Sequence, residues 1–66
     1  MDMEYLKYKI RKIDMNIEEF SRKIGMSKSA MYLKIAGKRQ WTCDEMKKMK
    51  QALNLSAEEF NQIFGF

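Results

Sequence analysis

Three times in this chain, a polar residue that can cap a helix is followed three positions later by glutamate. The pairs are Asn16 with Glu19, Thr42 with Glu45, and Ser56 with Glu59. This spacing is typical of a capping box, in which the two side chains accept hydrogen bonds from backbone N–H groups at the start of a helix. Because the chain also contains no proline, the pattern predicts an all-α fold.

Apolar residues at helical spacing predict a compact five-helix domain over residues 1–66, with breaks near Asn16, Gly25, 37–40 and Asn54. The first helix is expected from about Glu4 to Asp14. The expected buried faces are Leu6, Ile10 and Ile13 in the first helix, Phe20 and Ile24 in the second, Ala30, Met31 and Ile35 in the third, Met46, Met49 and Leu53 in the fourth, and Phe60, Ile63 and Phe64 in the fifth.

The second and third predicted helices are separated by a very short turn. Gly25 suits the left-handed backbone that often ends a helix, and Ser27 is placed to cap the next helix, which Gly37 ends. Such a turn is too short for antiparallel stacking and favours helix-turn-helix geometry. The side chains expected on the open sides of the third helix are Lys28, Ser29, Tyr32, Leu33 and Lys34. Trp41 is expected to anchor the following loop on the helices.

Composition excludes several classes of protein and site. Cys43 is the single cysteine and histidine is absent, so we expect no intrachain disulfide, no metal site and no cofactor. The longest apolar run is four residues, Ala30–Leu33, so we expect no membrane span, no export signal and a cytoplasmic location. A chain this short, without histidine, is not expected to be an enzyme or to enclose a small-molecule ligand.

Charge is distributed unevenly. Residues 20–43 contain six lysines and arginines and no acidic residue, whereas the segments on either side each carry a small excess of acid, within a formal net charge of +4. A one-sided basic segment of this kind is the electrostatic pattern expected of a nucleic-acid-binding surface.

The segment "IEEFSRKIGMSKSAMYLKIAGKR", residues 17–39, resembles the helix-turn-helix of the Cro and lambda-repressor-like superfamily, especially the short regulators of phages and prophages. The later "LNLSAEEFNQIF", residues 53–64, is similar to that group's fifth helix. The resemblance implies a five-helix lambda-repressor-like domain that binds operator DNA with the helix over residues 27–36 in the major groove. It also implies a transcriptional repressor that occludes a promoter.

Carried over to this chain, the resemblance places particular side chains on base edges and on phosphates. The expected base-contacting residues are Lys28, Ser29, Tyr32 and Leu33, which lie in the first turns of the third helix. The expected phosphate-contacting residues are Asn16, Ile17, Ser27, Lys34, Lys38, Arg39 and Gln40.

Small domains of this type usually bind two half-sites as symmetric dimers. The apolar segment "FNQIFGF" is the expected dimer surface, through Phe60, Phe64 and Phe66, although Phe60 and Ile63 can instead complete the core of the monomer. The alternative function is a helical module that docks on another protein, such as a repressor, an integrase or a host factor, through its basic face.

Overall fold

A polar side chain precedes every helix of the computed structural model, which describes residues 1–65. The five α-helices of this part are α1 (Met3–Lys12), α2 (Ile17–Lys23), α3 (Lys28–Ile35), α4 (Cys43–Leu53) and α5 (Ala57–Phe64). Their caps are Asp2, Asn16, Ser27, Thr42 and Ser56, and each side chain accepts a backbone N–H three residues on. The three predicted capping boxes are confirmed, with both hydrogen bonds present in each.

Three helices end in the same way. The backbone N–H groups of Met26, Lys38 and Leu55 each donate to the carbonyl oxygen five residues earlier, at distances of 2.9, 2.9 and 3.0 Å. The preceding residue has a left-handed backbone in each case, with φ of +76° at Gly25, +78° at Gly37 and +52° at Asn54. This closure places hydrogen bonds on carbonyls that a helix end leaves free. The predicted breaks at these residues are therefore confirmed.

The first helix differs from its prediction at both ends. It begins one residue earlier, because the carboxylate of Asp2 accepts the N–H of Tyr5 at 3.0 Å. It ends at Lys12, since Asp14 takes a left-handed φ of +57° and turns the chain away. Ile13 was expected in the core, but it lies beyond the last helical turn and is 39% exposed.

The core contains residues from every helix and from three connecting segments. Its buried apolar members are Leu6, Ile10, Phe20, Ile24, Met31, Trp41, Met46, Met49, Leu53, Leu55, Ile63 and Phe64. The predicted apolar faces of α2, α4 and α5 are thus buried, although Phe60 is only partly so. Phe64 packs edge-on against Trp41, with ring centroids 5.5 Å apart. The chain occupies 26 × 26 × 20 Å.

Polar contacts join the first and last helices. The backbone N–H of Asp2 donates to the carbonyl of Ile63 at 3.0 Å. Glu59, which also closes the capping box of α5, accepts hydrogen bonds from the hydroxyl of Tyr5 at 2.7 Å and the ammonium of Lys9 at 2.9 Å. The Ser56 N–H, the Tyr5 hydroxyl and the Lys9 ammonium together lower the pKa of Glu59 to about 2.

No helix within residues 1–65 is both long enough and apolar enough to cross a membrane.

Candidate nucleic-acid interface

The turn between α2 and α3 is fixed by hydrogen bonds at both of its ends. The N–H of Gly25 donates to Arg22 at 3.2 Å, and that of Met26 donates to Ser21 at 2.9 Å. Ser21 is fully buried and its hydroxyl donates to the Ile17 carbonyl at 2.7 Å. A larger side chain would not fit at this position without displacing its neighbours. The start of α3 is therefore held at a defined place beside α2.

The α3 helix has one buried and one exposed side. Met31 is fully buried and Ile35 packs against the core. The four residues predicted to contact bases share the opposite side, where Lys28, Ser29 and Tyr32 are exposed and Leu33 is half-buried. Residues separated by three or four positions lie on one face of a helix. The predicted reading residues therefore form one continuous surface.

Lys34 was expected on an open side of α3 and among the phosphate contacts, but it points inward. Its side chain is 6% exposed, and its ammonium lies 2.5 Å from the Glu45 carboxylate and 3.0 Å from the Gln40 carbonyl. It also lies 5.9 Å from the centre of the Trp41 ring. Two acceptors hold this buried ammonium inside the protein, so Lys34 is not placed to contact phosphate.

Glu45 connects this ion pair to the start of α4. The same carboxylate oxygen that receives Lys34 also accepts the Thr42 N–H at 2.8 Å and completes the capping box. Partial burial raises the pKa of Glu45, but the hydrogen bonds from Lys34 and Thr42 outweigh it and hold the pKa below its ordinary value. The carboxylate is thus ionised at neutral pH and fixes α3 relative to α4.

The loop after α3 is anchored on one side and open on the other. Trp41 is buried, which confirms its predicted anchoring role, but its indole N–H has no hydrogen-bond partner within the described residues. Lys38, Arg39 and Gln40 have exposed side chains, and neither Lys38 nor Arg39 forms an ion pair within residues 1–65. Two free cations therefore lie directly after the exposed face of α3.

The N-terminus of α2 combines features that favour a phosphate with features that disfavour it. The Asn16 side chain accepts the Glu19 N–H at 2.8 Å, and the Glu19 carboxylate accepts the Asn16 N–H at 3.0 Å. The helix dipole at Ile17 favours an anion, but the exposed carboxylates of Glu18 and Glu19 lie in the same turn. The predicted phosphate contacts at Asn16 and Ile17 consequently face two competing negative charges.

One of these carboxylates reaches α3. Glu18 lies 3.5 Å from the ammonium of Lys28 and 3.4 Å from the guanidinium of Arg22. Among the four reading residues, Lys28 is the only cation, so the charge predicted to read bases is paired within the protein. The short turn predicted from sequence brings the two helices together, but this contact between them is not evident from the sequence.

Exposed lysines also lie outside the basic segment, residues 20–43. Outside residues 20–43, Lys47, Lys48 and Lys50 are exposed along α4 and form no ion pair within residues 1–65. Lys48 and Lys23 line an open groove of about 440 Å³ between α2 and α4. These lysines are missed at the level of sequence because Asp44, Glu45, Glu58 and Glu59 offset their charge in a regional sum. Asp44 and Glu45 lie in the first turn of α4 and pair with none of these lysines within residues 1–65.

The predicted dimer surface is only partly exposed. Phe64 is 3% exposed and belongs to the core, because it packs on Trp41 and Phe60. Its assignment to a dimer interface is therefore wrong. Phe60 is half-buried and lines an apolar groove of about 300 Å³ with Cys43, Met46 and Lys47. Phe66, the third predicted residue, lies outside the described residues.

Within residues 1–65, no cluster of three or more His, Cys, Asp or Glu side chains is arranged to bind a metal ion. Comparisons with protein-family models, with curated proteins and with solved structures give no match to this chain.

Proposed function

We propose that this protein is a sequence-specific double-stranded DNA-binding transcriptional regulator in which α2 and α3 act as a helix-turn-helix of the Cro and lambda-repressor-like type. In this proposal α3 enters the major groove and α2 crosses the backbone. The protein acts as a repressor of phage or prophage type, occludes a promoter and has no catalytic step.

The observation that carries this proposal is the outward face of α3 together with the basic loop after it. Lys28, Ser29 and Tyr32 are exposed on one side of a helix whose other side is buried. Lysine donates to guanine acceptors, serine can donate or accept, and tyrosine or leucine can contact a thymine methyl group. Lys38 and Arg39, which form no ion pair within residues 1–65, adjoin this face, where they would contact phosphates and position the helix.

Charge supports the same conclusion. The segment that forms the turn, α3 and the basic loop contains no acidic residue, and α3 is the only helix among residues 1–65 with no acid in its first turn. Acidic residues are usually favourable at that position because they complement the helix dipole. The α3 helix itself therefore places no carboxylate at the end that would meet a polyanion, and the nearest carboxylate, Glu18, comes from α2.

Selection of bound sequences from a random duplex pool tests this function. We expect a motif to be enriched at moderate salt, and we expect Lys28→Ala combined with Ser29→Ala to change that motif while the domain stays folded. Lys7→Ala is a matched control, because it removes a cation on α1 that is paired with Glu4 at 3.1 Å. If no motif is enriched by the native protein, the regulator function is wrong. If the motif is unchanged in the double variant, the base contacts are wrong.

A docking module is the second candidate function, and the apolar groove between α4 and α5 favours it. Cys43, Met46 and Phe60 offer apolar surface to a partner, with the ammonium of Lys47 at the edge. In the DNA-binding proposal this groove is instead the surface available for a homodimer on DNA. Duplex affinity separates the two functions, since DNA binding weakens steeply as salt rises, whereas a docking module binds duplex DNA poorly at any salt concentration.

A further inference from the structure

The start of α3 carries a charge that its own helix does not balance. Lys28 is the first residue of α3, where the positive end of the helix dipole disfavours a cation. Every other helix of residues 1–65 has at least one acidic residue in its first turn. The acid that compensates Lys28 comes from the neighbouring helix.

Glu18 of α2 supplies this negative charge. Its two carboxylate oxygens face different cations, with Oε1 3.5 Å from Lys28 and Oε2 3.4 Å from Arg22. About half of each of the Glu18 and Lys28 side chains remains exposed, so solvent and ions have access to the pair. A carboxylate held between a lysine and an arginine makes the kind of charge-assisted contact that a phosphate group can also make with these cations.

We propose that Glu18 is a specificity-determining residue that competes with DNA for Lys28. This inference rests on the proposed DNA-binding function. In the free protein Glu18 occupies the Lys28 ammonium, and a phosphate must displace it before Lys28 contributes to non-specific binding. A correctly placed base acceptor adds a directed hydrogen bond that offsets this displacement. Glu18 therefore suppresses binding to random sequence more than binding to the operator.

The physical basis is the small stability of an exposed ion pair. Such pairs contribute little to folding, so the carboxylate can be removed without unfolding the domain. The same pair is strong enough to alter an affinity that depends on a few charge contacts, because non-specific binding is almost entirely electrostatic. Removing the carboxylate also takes a negative charge away from the surface that faces phosphates.

The test compares the native protein with Glu18→Gln, Lys28→Gln and the double variant. Each is titrated with a fluorescent duplex that carries the selected motif and with a scrambled duplex of equal length, at several salt concentrations. We expect Glu18→Gln to raise affinity for the scrambled duplex about 3- to 5-fold and affinity for the motif by less, so that the specificity ratio falls. We expect the gain to be clearly smaller in the Lys28→Gln background, where only the general loss of negative charge and the release of Arg22 remain.

Two further variants separate this effect from a structural one. Glu18→Asp keeps the charge at the N-terminus of α2 but shortens its reach, so we expect a partial rise in affinity for the scrambled duplex. Glu4→Gln removes an exposed carboxylate paired with Lys7 on α1 and should change neither affinity. Circular dichroism confirms that each variant is folded.

The outcomes distinguish the two proposals. If the native protein binds no duplex at low salt, the proposed function is wrong and this inference falls with it. If the native protein selects a motif but Glu18→Gln leaves the specificity ratio unchanged, or has the same effect with and without Lys28, only the role of Glu18 is wrong.

Discussion

The ammonium of Lys34 lies 2.5 Å from the carboxylate of Glu45, and this ion pair joins α3 to the first turn of α4. The side chain of Lys34 is almost fully buried, whereas about a fifth of the Glu45 side chain is exposed. Because the carboxylate also closes the capping box through the Thr42 N–H, one group fixes the end of α3, the basic loop and the start of α4. The position of the exposed face of α3 therefore depends on the Lys34–Glu45 ion pair on the buried side of the helix.

Glu45→Gln should destabilise the protein more than Lys34→Met. The first change leaves the buried ammonium with neutral oxygen acceptors and no counter-ion, and we expect a loss of about 3 kcal/mol in the free energy of unfolding. The second leaves a carboxylate that still reaches solvent and still accepts the Thr42 N–H. Urea unfolding of both variants measures the difference, and the double variant should recover part of the loss from Glu45→Gln. Equal losses in the two single variants would contradict this interpretation.

The inward position of Lys34 shows what the sequence could not predict. Lysine in an amphipathic helix is normally assigned to the open side, because burial of an unpaired ammonium is costly. Burial is possible here because Gln40 and Glu45 lie beyond the helix and supply acceptors. The spacing of residues within α3 gives no information on these two acceptors, because they belong to residues outside the helix.

The helix boundaries were more accessible, since caps and closing glycines act through residues close in sequence. The start of α1 was missed because Asp2 caps it without a glutamate three residues on.

The sequence also did not show which aromatic side chains of α5 are buried and which are exposed. Phe60 and Phe64 are one helical turn apart on α5, and the structure shows that Phe64 is the buried one, packed against Trp41.

Acid should destabilise the protein through Glu59. Its pKa is lowered to about 2 from an ordinary value of 4.5 by the Ser56 N–H, Tyr5 and Lys9. The unfolded chain therefore binds the proton first as pH falls, so this contribution is complete above about pH 5 and is lost as pH falls towards 2. Glu59→Gln should lower the melting temperature at pH 7 and reduce its change between pH 5 and pH 2.

Glu58→Gln is the matched control for this experiment. Glu58 is the adjacent exposed glutamate of the same helical turn and makes no ion pair within residues 1–65. Thermal melts followed by circular dichroism across this pH range should show native behaviour in Glu58→Gln. If Glu59→Gln keeps the native slope, other carboxylates dominate the acid response.

Gly25→Ala should cost about 1 to 2 kcal/mol, the usual penalty for a left-handed backbone in a residue with a Cβ atom. Gly25 has a φ of +76°, and an added Cβ would meet no atom within 4 Å. The cost is thus conformational rather than steric, and Gly25→Asn should cost less because asparagine tolerates this region. Chemical denaturation of the two variants checks the order. If Gly25→Asn has a lower free energy of unfolding than Gly25→Ala, a steric collision rather than the backbone conformation causes the loss.

Lys38→Ala and Arg39→Ala should weaken duplex binding by a similar factor for all sequences. Both side chains are exposed and unpaired within the described residues, as expected of groups that contact phosphate. Each change should reduce the slope of log affinity against log salt by about one and leave the selected motif unaltered. Salt titrations with the motif and with a scrambled duplex measure both effects. A change of motif in either variant would assign that residue to base reading.

The contact between α1 and α5 limits how early the chain can fold as it is made. Domains generally fold during synthesis as their residues leave the ribosome, and α1 emerges first. Its core residues Leu6 and Ile10 belong to the same cluster as Ile63, and the Asp2 N–H needs the Ile63 carbonyl. The nascent domain therefore cannot close until residue 63 has emerged, although α1 can contact α2 before its last partner is available.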